Sequence, residues 1–337
     1  MSESITTLTS LETLIGKAPA TVNLKVIDHL DPGALSWIAA SPLVLAGFGQ
    51  ASRLATTLGG GHAGFAKADP HELRLPTALL DDASLARPGM GFGSLFLLPG
   101  IGETLRVNGR ITHVDEGELR VAVEECYGHC AKPLIRSEFW AAAPLEHPPR
   151  DAASFLSACR LMALSTLDAE GRADLSPKGD PAGTMVSLED GVVWFADRPG
   201  NRRVDSFRNI LTQPHVALTL VIPGSTHVVH VSGTARLSTQ EAVRARFAVQ
   251  GKVPTLVTGI DAPNLELRES PTLVRASPWP LRAKTEGIDP VRMVVAHVKM
   301  NSDKGLAGRL TSTALSIPGV TGLLKKNREK NYKDGLY

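Results

Sequence analysis

A chain of 337 residues with 43% hydrophobic and 21% charged residues and a formal net charge of +2 has the composition of an ordinary globular protein, long enough for one large domain or two ordinary ones. Its near-balanced charge gives no footing for a dedicated nucleic-acid partner, and no apolar run approaches the roughly 20 residues that span a bilayer, so neither nucleic acid nor membrane is expected as a partner. Glu3 and Glu12 break any basic-then-apolar leader and Cys126, Cys130 and Cys159 cannot all pair with one another, which together predict a cytoplasmic protein with free thiols.

In chain order, residues 1–30 read as an N-terminal extension. Residues 31–143 form a first unit, with strands predicted over 41–48 and 53–57. Gly59-Gly60-Gly61 follows, then a stretch over 75–87 that carries Asp81 and Asp82, an apolar run ending at Pro99-Gly100, and a strand through Gly109. The unit ends on Val123-Glu124-Glu125-Cys126-Tyr127-Gly128-His129-Cys130-Ala131-Lys132-Pro133-Leu134-Ile135-Arg136-Ser137. Prolines at 144, 148 and 149 favour an extended linker, and a new helix is expected from Asp151.

The second unit, 151–303, repeats the first. Pro99-Gly100 and Gly109 recur as Pro223-Gly224 and Gly233, both 124 positions later, and residues 161–167 and 172–176 stand where 41–48 and 53–57 stand. Further on, residues 238–250 read as a capped helix and 291–301 as a plain strand closing the unit. Residues 304–337 form a basic tail with Lys325, Lys326, Arg328, Lys330 and Lys333. Short helices are expected around 312–315 and 320–324, broken at Pro318-Gly319, and the tail is expected to be solvated, with a flap docking near the anionic cofactor as the alternative.

Chemistry concentrates where an apolar run, residues 192–196, stops at Asp197-Arg198-Pro199-Gly200 and a helix is predicted to begin with Asn201 as its cap. Unpaired N–H groups at a helix start attract an anion, and Arg202 and Arg203 in the first turn would oppose the macrodipole unless an anion sat there. Two guanidiniums beside such a start make a phosphate clamp.

The ordered string of strand, turn with a basic pair, helix and two strands, followed by Gly233-Thr234-Ala235-Arg236-Leu237-Ser238-Thr239-Gln240-Glu241-Ala242, resembles the FMN-binding split-barrel family that includes pyridoxamine 5'-phosphate oxidase. The resemblance covers about residues 155–300 and implies a mainly β fold with α (α+β), here as two tandem split β-barrels. It implies FMN as cofactor, held by Ser176, Lys178, Asn201, Arg202 and Arg203, with Phe195 and Ala196 beside the flavin. Phe195-Ala196 replaces the oxidase's Tyr-Thr and Val228 its later Gln, so vitamin B6 specificity is not carried over.

The two halves have diverged. Asp81 and Asp82 stand where the second half has its cations, and a phosphate there would be repelled. The Cys126–Ser137 string, which resembles the terminal signature of one subgroup of the same family, has no counterpart in residues 291–301. Within it His129, Cys130 and Lys132 are the candidate catalytic residues and Arg136 a further cofactor contact. His129 is expected to titrate near neutral pH and the loop to meet an anionic substrate or the flavin edge. No metal is expected, because Cys126, His129 and Cys130 lack a fourth ligand and adjacent residues point apart on a strand. His227 and His230 are assigned structural or exposed roles.

The reading is an FMN-dependent oxidoreductase acting on a small molecule, arranged as an internal pseudo-dimer or else as a homodimer. The alternatives are a non-catalytic flavin module and a haem protein using His129, His227 or His230 as axial ligand.

Overall fold

The computed structural model describes residues 4–200, 202–301 and 320–337. Two antiparallel sheets carry the fold. Strands β2 (Leu43–Gln50), β3 (Arg53–Gly60), β4 (Lys67–Ala68), β5 (Glu72–Pro76), β6 (Gly91–Leu97), β7 (Thr104–Val114) and β8 (Glu118–His129) lie in the order β3-β2-β6-β7-β8-β5-β4. Strands β9 (Leu161–Leu167), β10 (Ala173–Gly179), β11 (Val186–Glu189), β12 (Val192–Ala196), β13 (His215–Val221), β14 (His227–Ser238) and β15 (Val257–Glu269) lie in the order β10-β9-β13-β14-β15-β12-β11. Strand for strand the two orders are the same. Even an irregularity is shared: the ladder slips between Asn108 and Gly109 in the first sheet and between Ser232 and Thr234 in the second. Past β5, a bridge from Gly59 to Leu80 brings the far edge of the first sheet back towards β3.

Residues in β2, β6, β9 and β13 are buried almost throughout, because one face of each strand lines its own half's core and the other meets the opposite half. That double burial is why these strands read as unbroken apolar runs instead of alternating ones. Each half has its own core, around Trp37, Phe92 and Phe96 in the first and Phe155, Phe195 and Phe207 in the second. A third cluster, with Leu43, Leu45, Leu95, Leu161, Leu175 and Val228, joins them. Gly91 sets the closeness of that contact: a Cβ there would stand 2.3 Å from the Gly171 carbonyl oxygen.

The chain ends cross between halves. Strand β1 (Ser4–Ile5) pairs with β14, and Leu11 of helix α1 (Leu8–Ile15) enters the second core. Residues 291–301 are not the expected strand. They form a helix, Pro290–Met300, started by Asp289, whose carboxylate accepts from the N–H groups of Val291 and Arg292 ahead of Pro290's fixed φ. Its buried positions are Val291, Met293, Val295 and His297. It packs on the first half, where Met293 joins the core and His297 faces the Asp31 carboxylate at 3.1 Å.

The true counterpart of the Cys126–Ser137 segment is the end of β15 and the helix Pro271–Ala276. Thr104 pairs with His129 as Val228 pairs with Arg268, so Arg275 takes the place of Arg136. Residues 238–250 also differ from expectation. Strand β14 runs through Ser238, and only Glu241–Arg246 is helical.

Candidate functional site between the halves

A cavity of about 700 Å³ opens where the second half's β10, the β12 exit and the following loop face the end of β8 and the helix α3 (Lys132–Arg136) of the first half. From the second half come Ser176, Lys178, Ala196, Arg202 and Arg203. From the first come His129, Cys130, Lys132 and Arg136. Of the sequence-predicted residues, Phe195 is the one described residue outside the lining: its ring is fully buried in the core, while Ala196 beside it faces the cavity. Asn201 lies outside the described residues.

The basic pair does not sit in a helical turn. Helix α5 (Asp205–Thr212) begins behind Val204 with no side-chain cap, and Arg202 stands before it in the left-handed region at φ 60°. The first-turn residue is the acid Asp205, which suits the helix macrodipole and pairs with Arg203. Arg203 also lies over the Tyr127 ring, 4.4 Å from its centroid, so a first-half aromatic orients a second-half cation. The more exposed Arg202 reaches Gly16 at the end of α1.

Under these cations runs a buried polar chain that crosses between halves. Arg106 on β7, 1% exposed, pairs with Asp174 on β10 and donates to the Tyr127 hydroxyl. Asp174 accepts from Ser176 at 2.8 Å, and Ser206 on α5 donates to Ser176 at 2.8 Å. The two serine hydroxyls at the cavity wall are thus fixed by an arginine of the other half. Neither Arg106 nor Tyr127 was singled out from sequence, although Tyr127 stands inside the quoted string that ends the first unit. No local pattern tells which strand face meets the opposite half.

Lys178 projects between the rings of Phe195 and Phe207, 5.7 and 4.6 Å from their centroids, and burial lowers its pKa against the pull of Asp197. Burial likewise raises Asp180 and Asp197 above the ordinary carboxylate range. Asp180 pairs with Arg198 at 2.6 Å through Oδ2, while its buried Oδ1 has no hydrogen-bond partner. His129 does not titrate near neutral pH as expected. Burial, with Arg106 and Lys25 adding to it, holds its pKa well below 6.5 and keeps the ring neutral.

The C-terminal segment departs furthest from expectation. Residues 302–319, including the helix predicted around 312–315 and the break at Pro318-Gly319, lie outside the described residues. Helix Val320–Asp334 is docked instead of solvated: Arg328 pairs with Glu103 at 2.8 Å, and the Tyr332 hydroxyl donates to the same carboxylate at 3.1 Å. Beyond it, Lys132 donates to the Gly335 carbonyl and Arg136 to that of Leu336, and Tyr337 lines the cavity.

The pseudo-symmetric position is closed. In register, Gly59 replaces Lys178 and His230 replaces Arg106. The Asp81 carboxylate accepts from the Ser270 hydroxyl and from the Thr272 N–H at 2.7 Å, and Arg275 donates to the carbonyls of Gly60 and Leu79. His230 hydrogen-bonds Thr56 and Thr219, and neither it nor His227 reaches the open cavity.

Residues 148–265 match the family model described as pyridoxamine 5'-phosphate oxidase. No curated protein matches the chain. Among solved structures, HupZ of Group A Streptococcus is 19% identical with a TM-score of 0.29, covering 37% of this chain and 96% of its own. The general stress protein 26 of Bacillus anthracis is 17% identical with a TM-score of 0.27, covering 35% and 95%. HutZ, a haem storage protein of Vibrio cholerae, is 13% identical with a TM-score of 0.25, covering 34% and 89%.

Proposed function

We infer that this chain, whose residues 148–265 belong to the pyridoxamine 5'-phosphate oxidase family, binds one FMN between its halves and works as an FMN-dependent oxidoreductase on a small molecule. The observation that carries this reading is the cavity of about 700 Å³ in which the second half's cations face the first half's His129–Arg136 segment. The residues present fit the cofactor. Arg202, Arg203 and Lys178 supply charge for a phosphate, the Ser176 and Ser206 hydroxyls suit a polyol, and the unpartnered Asp180 Oδ1 suits an N–H donor. FMN, when bound, supplies hydride or single-electron transfer.

The chain supplies placement and electrostatics. Arg106 fixes the serine hydroxyls from across the interface, and Tyr127 holds Arg203 towards the cradle. Neutral His129 offers a hydrogen-bonding nitrogen with no charge, next to Cys130 and the cation Lys132 on the first-half wall of the cavity. A homodimer in which one chain's loop serves its neighbour's cradle is not needed, since each chain's own loop already lines its cradle. The test combines the absorption spectrum, flavin-to-protein ratio and solution mass of the purified protein. Oxidised-flavin bands at one flavin per chain on a monomer support the reading, and two flavins per chain refute it. A haem reading keeps one ligand, because His129 alone of the three candidate histidines lines the cavity; a Soret band in place of flavin bands would select it. Turnover with a reductant separates an enzyme from a non-catalytic flavin module.

A further inference from the structure

Lys132 and Arg136 are 8% and 7% exposed, yet among the described residues neither has a carboxylate within 4.0 Å. Their partners are main-chain carbonyls. Lys132 donates to Gly335, and Arg136 to Leu336 through Nε at 2.7 Å and to Pro199 at 2.9 Å. Lys252, from the opposite side, donates to the main-chain oxygen of Tyr337 at 2.7 Å. The Tyr337 ring lies between Arg136 and Arg198, 5.3 and 5.7 Å from their guanidinium carbons. Two buried cations of the first half, with the exposed Lys252 of the second, therefore converge on the main-chain oxygens of three consecutive residues in a segment that follows the last helical turn and has no regular structure of its own.

Buried cations are poorly compensated by neutral carbonyls and well compensated by an anion, and a guanidinium fork pairs best with a carboxylate or phosphate. The Gly335 and Leu336 carbonyls satisfy the hydrogen bonds of the two buried cations without supplying a charge, so the segment serves as an exchangeable substitute. We propose that Lys132, Arg136 and Lys252 form a subsite for the anionic group of a small carboxylate- or phosphate-bearing substrate, and that residues 335–337 occupy this subsite until the substrate displaces them. Arg136 also touches Pro199 in the loop that leads to the cofactor cations, so the bound anion would lie beside the cradle in the same cavity. The assignment of the anion as substrate rests on the cofactor reading; the subsite itself does not.

An occupant tethered to its own site lowers the apparent affinity for a free ligand by the fraction of chains in which the site is open. Removing that occupant should therefore raise anion affinity with no new contact. The test titrates succinate and inorganic phosphate separately into the full chain and into a chain ended after Asp334, by calorimetry with FMN present at saturation, and titrates FMN into both proteins by fluorescence. At least a ten-fold gain in affinity for one probe on shortening is expected, and it should vanish in the shortened chain carrying Arg136→Gln. Lys132→Gln in the same background provides the second reading should Arg136→Gln fail to fold. The proposal is overturned by equal anion affinity in the full and shortened chains, or by a gain that survives both substitutions. Failure of FMN to bind either protein counts against the cofactor reading alone, since the anion titrations are then run on the protein without it.

Discussion

Replacing Arg106 with Met tests whether the two halves are locked together through the site. Arg106 is 1% exposed and its partner Asp174, on the other half, is 6% exposed. Deleting one member of such a pair strands the other charge, which costs about 3–5 kcal/mol, whereas replacing both by apolar residues of similar volume is close to neutral. With a urea m-value of about 3 kcal/mol/M, fitting for a chain of this size, the Arg106→Met midpoint should fall by about 1–2 M. The double variant with Asp174→Leu should recover most of that loss. Because Arg106 also donates to Ser176, the single variant should weaken FMN binding even where it remains folded. A midpoint shift below about 0.3 M, or a double variant no more stable than the single one, would refute the argument that this pair joins the halves.

Three further outcomes are expected. Arg203→Ala removes a preoriented charge-assisted contact worth about 2–4 kcal/mol, so the FMN dissociation constant should rise roughly 30- to 1,000-fold; an unchanged constant in both Arg202→Ala and Arg203→Ala variants removes the clamp. Cys130→Ser should reduce turnover if the thiol acts in the chemistry, and full activity in a steady-state assay would leave it a packing residue. His230 is held neutral by burial and by Arg268, its pKa pushed down to about 4, while in the unfolded chain it takes up a proton below about 6.5. The unfolded state then binds more protons, so melting temperature should fall as pH goes from 6.5 to 4. His129 acts in the same direction. The drop should be smaller in His230→Asn, and an identical pH profile would count against the assignment.

The repeat was legible because glycine and proline punctuation survives divergence: Pro99-Gly100 and Pro223-Gly224 end equivalent strands at the same turn. The cradle was legible for a similar reason, since cations after a strand and turn mark an anion site whatever the helix boundary. That boundary itself was misplaced by a few residues, because Asn201 is a good cap by type while Asp205, which pairs with Arg203, begins the helix. Residues 291–301 were misread because valines favour strands by type, although their spacing at 291, 294, 295 and 298 is helical and Asp289-Pro290 marks the helix start. What sequence could not supply was contact between distant segments. Nothing local says that Glu103 waits for Arg328, or that Gly335–Tyr337 returns to the cations of α3.

The asymmetry of the molecule follows from its covalent fusion. In a symmetric dimer every substitution appears in both sites, so neither can change alone; in a tandem chain each site varies independently. The open site retains Lys178 and gains an inter-half brace from Arg106. At the closed site Gly59 and His230 occupy those same register positions, so neither the Lys178 cation nor the Arg106 ion pair has a counterpart there. Asp81 then performs there the task a ligand anion would have performed. Its carboxylate takes the N–H of Thr272 and the hydroxyl of Ser270 at the start of the helix Pro271–Ala276. A carboxylate built into the chain is present at every moment, so the helix stays docked and the space is filled. Arg275 completes the closure on the carbonyls of Gly60 and Leu79. Its counterpart Arg136 instead meets the carbonyls of Leu336 and Pro199, in a cavity that remains about 700 Å³. The same arginine position thus seals one site and guards the other with an exchangeable segment.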